Sequence, residues 1–230
     1  MKETQTLTAS DLRCWSCGAA AGRAHFCPCC GKIQPLPPDT DYFAFFDLPR
    51  RLGLDERALE ASYHELSWRL HPDRFAQASE AERRLSLDRS AQLNDAFRTL
   101  RDPVRRVEYL LWLAGRRREG EARQQAPPEL LEEVFALNET LEELRQARHA
   151  GGEAAAEASL RRQLEAEQQK LETLLAAVDA ELAEAAAAWD RALDSGAAAE
   201  PLLDRLNEIL NRRSYLRNLV ENIRQEMAAD

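Results

Sequence analysis

From residue 127 onward the chain carries one dominant signal: apolar side chains recur every three or four residues through three long stretches. In the first, Leu130, Val134, Leu137, Leu141 and Leu144 alternate at +4 and +3. Leu160, Leu164, Leu171, Leu175, Val178, Leu182, Trp189 and Leu193 form the second line. Leu202, Leu206, Ile209, Leu216, Val220, Ile223 and Met227 form the third. The stretches are broken at Gly151-Gly152 and at Ser195-Gly196. Residues at this spacing return to one face of a 3.6-residue helix, and such a face must be buried against something. Three amphipathic helices joined by short Gly turns fold most economically as an antiparallel three-helix bundle, predicted here over 127–230. Ala, Leu, Glu, Arg and Gln dominate, all strong helix formers. The expected class is all-α.

A second helical region is predicted over 41–114. Asp41 can cap a short helix carrying Tyr42, Phe43, Phe45 and Phe46, and Asp55 can cap the next. On that helix Leu59, Tyr63, Leu66 and Leu70 form one apolar stripe. Pro72 stops its propagation just after His71. A third helix is expected from about Ser79 to Leu100, with Leu93, Ala96, Phe97 and Leu100 facing inward. Asp102-Pro103 reads as an N-cap followed by Pro at the first helical position, opening a fourth helix through Val107, Leu110 and Leu111. Two of these helices must pack as an antiparallel hairpin, which puts His71-Pro72-Asp73 on a solvent-facing loop. Arg69 and Arg74 flank it, and Arg83, Arg84 and Arg89 follow on the next helix. Residues 115–126 are polar and without a periodic stripe, and read as a linker.

All five cysteines lie between Cys14 and Cys30. A disulfide framework would spread them through the fold, so their clustering favours a metal and a reducing compartment. Cys14-x-x-Cys17-Gly18 and Cys27-x-x-Cys30-Gly31 are two copies of one knuckle, each with a Gly suited to a left-handed turn. Together Cys14, Cys17, Cys27 and Cys30 offer four thiolates, a closed tetrahedral site for a structural Zn²⁺ with no open catalytic position. Cys27 with Cys29 is an alternative pair, and iron or an iron–sulfur site is an alternative occupant. So short a segment has almost no core of its own, and metal binding would fold it. Pro35, Pro37 and Pro38 then make a stiff linker, closing a zinc segment over 1–40.

Charge is uneven. Net charge is +1 over 1–40, −1 over 41–113, +2 over 114–126 and −11 over 127–230. Phosphate binding needs a Lys/Arg surplus, so an acidic bundle argues against nucleic acid as the main partner and against a zinc-ribbon adaptor. No apolar run is long enough to span a membrane. No export or transit pattern is visible at the N-terminus, which places the chain in a cytoplasm. A hydrolase built on His71 and Asp73 would need a nucleophile elbow, a phosphate loop or an oxyanion device, and none is present. The chain is expected not to be an enzyme.

The stretch 41–115 resembles a J-domain. The resemblance rests on Tyr63-x-x-Leu66 before His71-Pro72-Asp73, on Leu93-Asn94-Asp95-Ala96-Phe97, and on Arg101-Asp102-Pro103-x-x-Arg106-x-x-Tyr109-Leu110. It implies that His71, Pro72 and Asp73 engage a DnaK/HscA-class ATPase chaperone and trigger its hydrolysis, with Arg69 and Arg74 supplying complementary charge.

The order of J-domain, short linker and acidic three-helix bundle resembles the HscB branch, co-chaperones of iron–sulfur cluster assembly. The N-terminal knuckles resemble the zinc-bearing version of that branch, and the absent transit pattern points to a bacterial member. Leu131 and Phe135 sit one step off the core stripe of the first bundle helix, and the same line continues to Glu139 and Glu142/Glu143. Tyr215 lies beside the stripe of the last helix. A wide core stripe is the alternative explanation. The resemblance maps the face that binds the scaffold protein IscU to Leu131, Phe135, Glu139, Glu143 and Tyr215. Glu132 stands where the family's face has another apolar residue. The function expected is delivery of IscU to the chaperone for cluster transfer, by a monomer or weak dimer. The rival is a general J-domain co-chaperone for unfolded clients, which would need an apolar cleft or a Gly/Phe-rich linker.

Overall fold

The computed structural model of the chain describes residues 12–117, 131–149 and 154–228. The all-α expectation holds: seven helices form among the described residues, and extended pairing is confined to two isolated bridges near the cysteines. The chain divides into two compact units at Arg106/Val107.

In the first unit, α1 (Tyr42–Phe45) is capped by Asp41, whose carboxylate accepts the Ala44 amide. α2 (Glu56–Leu70) is capped by Asp55, which accepts the Arg57 and Ala58 amides. A 3-10 turn over Pro72–Phe75 follows, and then α3 (Glu80–Arg101). α3 opens on a complete capping box between Ser79 and Glu82. The residues that carry the J-domain likeness hold the hairpin together. Tyr63 stacks on Phe97 with ring centroids 4.1 Å apart, and its hydroxyl donates to Asn94 Oδ1 at 3.0 Å. Nearer the turn, the Ser86 and Ser90 hydroxyls donate to the Leu70 carbonyl at 2.6 and 3.0 Å. Pairing of 63 with 94 and of 70 with 86 makes α2 and α3 antiparallel.

Arg106 is buried and spends its guanidinium on backbone. Nε donates to the Leu100 carbonyl at 2.6 Å, and Nη1 donates to the Leu52 carbonyl. Of the three arginines named with the loop on α3, Arg83 and Arg84 are exposed, whereas Arg89 is buried. Its Nη1 donates to Gln92 Oε1, and burial holds its pKa below the usual arginine value. α4 (Pro103–Leu113) begins in the first unit, where Asp102 Oδ1 accepts the Val104 and Arg105 amides, and continues into the second.

In the second unit, α5 (Leu131–His149), α6 (Ala154–Ser195) and α7 (Glu200–Ala228) pack side by side. Ion pairs give the direction: Glu172 with Arg224, Asp179 with Arg213, and Glu181 with Arg212. Numbers rise on α6 as they fall on α7, so the two are antiparallel. Arg145 and Arg148 at the end of α5 both reach Glu226 at the end of α7, and Arg148 also meets Glu157 at the start of α6. That is an up-down-up bundle. Its core holds Leu137, Leu141, Leu144, Leu164, Leu171, Val178, Leu182, Trp189, Leu206, Ile209, Leu216, Val220 and Ile223.

Leu193 departs from the expected stripe: it is 41% exposed, and Ala192 is buried in its place. The buried positions keep a seven-residue register through the helix, at Leu164, Leu171, Val178, Ala185 and Ala192, and Leu193 falls one residue past it. Leu130 and positions 118–126 of the expected linker lie outside the described residues. Arg116 and Arg117, at the start of that linker, are engaged: Arg116 pairs with Glu200 and Asp204, and Arg117 with Glu108.

Candidate functional site

Three sets of side chains carry the chemistry. The first is the cysteine cluster. Each knuckle closes in the same way, with Cys14 N donating to Ala19 O and Cys27 N to Lys32 O, both at 2.8 Å. Bridges Arg13↔Ala20 and Phe26↔Ile33 tie the two ends of each. Gly18 and Gly31 take φ of +73° and +71°, the left-handed turn that glycine adopts without penalty. The Trp15 indole donates to the Ile33 carbonyl at 2.6 Å and joins one knuckle to the other.

The Cys14, Cys17, Cys27 and Cys30 sulfurs lie within 4.8 Å of one another, with Cys14–Cys30 at 3.6 Å and Cys17–Cys27 at 3.7 Å. A tetrahedron of thiolates at Zn–S bond length has edges of roughly 3.8 Å. The four sulfurs therefore fit one metal ion, and Cys29 stands outside the group. As free thiols they hold their protons unevenly. Burial raises Cys14, but the Cys17 and Ser16 amides and the neighbouring thiols outweigh it and bring it to about 6. The Ala19 backbone favours the Cys17 thiolate, but Cys30, burial, Cys14 and Cys27 push that thiol up to about 12. Cys30 is also raised, against the Lys32 backbone, by burial and by the Cys14 and Cys27 thiols.

The second set is the loop after α2. His71 caps the end of α2 and the start of the 3-10 turn, and its Nδ1 accepts the Asp73 amide at 3.3 Å. A neutral imidazole held this way carries its proton on Nε2. The Asp73 carboxylate is 3.6 Å from the same Nδ1 and is 90% exposed. His71, Asp73, Arg69 and Arg74 are all exposed, and Pro72 is half-buried between them. Arg69 pairs with Glu65 one turn back on α2. Sequence reasoning missed two parts of this site. Trp68 is 64% exposed three residues before His71, and the Arg74 guanidinium lies 3.7 Å from its ring centroid. The other part is Ser86 with Ser90, which satisfy the last carbonyl of α2. Two serines four apart on an inward helix face, opposite a helix end, were the available signal.

The third set is on the bundle. Phe135, Glu139 and Glu143 follow one another at four-residue spacing along α5, and all are exposed; Phe135 is 72% exposed. The Leu131 side chain lies outside the described residues. Tyr215 is half-buried on α7, where burial raises its phenol pKa. Among the described residues no hydrogen bond or ring contact joins Tyr215 to the α5 line. An exposed phenylalanine followed by two carboxylates can meet a partner that is apolar at one end and basic at the other.

No family model matches the chain. A curated relative from Burkholderia multivorans, named co-chaperone protein HscB homolog, is 37% identical over 134 residues, covering 58% of this chain and 77% of that protein. A mouse relative, named iron-sulfur cluster co-chaperone protein HscB, is 35% identical over 133 residues, covering 56% and 57%. Against several other curated relatives the match spans only 42% to 60% of their length. The crystal structure of human co-chaperone protein HscB superposes with a TM-score of 0.64 at 28% identity, over 94% of this chain and 99% of that one.

Proposed function

The chain belongs to the HscB family of co-chaperones, and on that premise we propose that it stimulates the ATPase of a DnaK/HscA-class chaperone and brings an IscU-type iron–sulfur scaffold to it. The observation that carries the reading is the loop His71-Pro72-Asp73. It stands exposed at the end of a hairpin whose last carbonyl is pinned by Ser86 and Ser90. A pinned loop binds without first being ordered, which lowers the entropic cost of docking. Asp73 offers an exposed carboxylate, His71 offers Nε2–H, and Arg69 and Arg74 add positive charge that speeds and orients encounter.

In this reading residues 41–114 act as the J-domain and 127–230 hold the scaffold through Leu131, Phe135, Glu139, Glu143 and Tyr215. The chaperone's hydrolysis then clamps the scaffold and favours cluster release. The chain itself makes and breaks no covalent bond. Cys14, Cys17, Cys27 and Cys30 hold a structural Zn²⁺, supported by sulfur spacings close to a tetrahedral edge. The setting is a bacterial cytoplasm, and among the described residues no helix is long and apolar enough to cross a membrane. The acidic bundle disfavours nucleic acid, and the active form is a monomer or weak dimer.

Steady-state ATP hydrolysis by the chaperone, with scaffold present, tests this. Wild type should stimulate it and His71→Gln should bring the stimulated rate down to near the chaperone's basal rate. Full stimulation by a folded His71→Gln protein would overturn the reading.

A further inference from the structure

The second cysteine knuckle does not stand apart from the helical hairpin. Two of its side chains reach the two ends of the His71-Pro72-Asp73 loop. Phe26, next to Cys27, lies under Arg69 with the guanidinium carbon 4.6 Å from the ring centroid. Arg69 is two residues before His71, in the last turn of α2. Lys32, two residues after Cys30, donates to Glu82 Oε1 at 2.8 Å. Glu82 is the buried partner in the capping box that starts α3. A third contact fixes the knuckle from behind: His25 Nε2 is 2.9 Å from the Phe45 carbonyl, and its ring packs edge-on against Phe45. Phe26 and Ile33 are joined by an antiparallel bridge, so the two reaching arms grow from one rigid turn.

We propose that this knuckle, closed by its metal, is a clamp that positions Arg69 and the loop for chaperone docking, with Phe26 and Lys32 as positioning residues. The proposal rests on the J-domain reading above and extends it. One arm holds the end of α2 and the other holds the start of α3, so the loop between them is restrained at both sides. Arg69 is pressed between the Phe26 face and the Glu65 carboxylate, which narrows the rotamers of a side chain that is otherwise free to wander. The two knuckles bury little apolar surface of their own, a small cluster of Cys14, Ala21 and Cys27 together with Ile33. The arms therefore keep their spacing only while the four thiolates are held together. Metal in the first 34 residues would thus be read out at residues 69–82.

The test uses the full-length zinc-loaded protein in two measurements. The first is amide hydrogen exchange at Arg74, Ala76 and Ala78 in the loop and at Glu82 and Arg83 in the first turn of α3, all bonded locally. Phe26→Ala and Lys32→Met should each speed exchange about threefold, as should chelation of wild type, while Phe26→Tyr restores slow exchange. The second is the co-chaperone concentration giving half-maximal ATPase stimulation. It should rise about threefold in both variants with the maximum unchanged, a pure change in docking. Lys32→Met keeps all four cysteines and the Phe26 ring, so it decides the matter should Phe26→Ala lose its zinc. Unchanged exchange in zinc-loaded Lys32→Met, or no recovery in Phe26→Tyr, overturns the clamp. Failure of the J-domain reading looks different: there His71→Gln stimulates as well as wild type, whatever the exchange rates show.

Discussion

At the scale of single residues, the loop depends on groups that do not touch a partner. The Ser86 hydroxyl is buried and donates to the Leu70 carbonyl. Ser86→Ala leaves that carbonyl sharing only Ser90, and should cost about 1–2 kcal/mol of stability in urea unfolding followed in the first unit. Glu82 gives a pH signature. The Lys32 hydrogen bond comes first among the causes that hold its carboxyl below the ordinary value of 4.5, with Ser79 helping and burial opposing. The unfolded chain then binds more protons than the folded one as acid is added. This stabilisation is complete above about pH 5 and is lost as pH falls through the depressed folded value. Lys32→Met should therefore lower stability by no more than about 1 kcal/mol at pH 7, since Lys32 is half-exposed and screened. The gap to wild type should narrow as pH falls from about 5 through that depressed value. A gap that stays constant from pH 7 to pH 3 would mean the pair contributes nothing specific. Neither Ser86 nor Glu82 stood out in the sequence. Their value comes from what lies opposite them, Leu70 sixteen residues away and Lys32 fifty residues away, and no local pattern encodes such partners.

At the scale of elements, caps and periodicity were legible because they are local. Asp41, Asp55, Ser79 and Asp102 each accept amides at the helix starts their positions forecast. The stripes on α5 and α7 found their cores for the same reason. Misplacement of Leu193 shows the limit, because a step of four from Trp189 fits the apolar pattern as well as a step of three, and packing takes the step of three to Ala192. Arg89 shows another: an arginine reads as surface until a tertiary pocket claims it. On α5 the two faces make opposite predictions. Leu144 is fully buried, so Leu144→Ala should destabilise the bundle by about 2–5 kcal/mol. Phe135 is exposed, so Phe135→Ala should change stability by no more than about 0.5 kcal/mol yet weaken scaffold binding about tenfold or more in calorimetry. Unchanged affinity would remove Phe135 from the binding face while leaving the bundle assignment intact.

At the scale of the whole chain, the candidate metal ligands and the proposed cargo face belong to different compact units. All four candidate ligands lie in the first, and the Phe135–Glu143 line lies in the second. The cysteine spacing announced the metal site because two short repeats are a local signal, whereas the docking of the knuckle on α2 and α3 has no signature of its own. Division into units makes metal removal a selective perturbation. Cys17 and Cys30 are pushed up as free thiols, so they carry protons at neutral pH and must release them to bind a cation. Zinc uptake by the stripped protein should therefore acidify a weakly buffered solution, and zinc affinity should weaken as pH falls from 8 to 6. In the stripped protein the amides of Cys14, Gly18, Cys27 and Gly31, each bonded within its knuckle, should lose their exchange protection almost completely. The bundle is held by its own leucines and by ion pairs among α5, α6 and α7. Its far-ultraviolet helix signal and its affinity for the scaffold should therefore stay within error of the loaded protein. Loss of scaffold affinity on chelation, with the helix signal preserved, would instead place part of the scaffold contact on the metal-bearing segment.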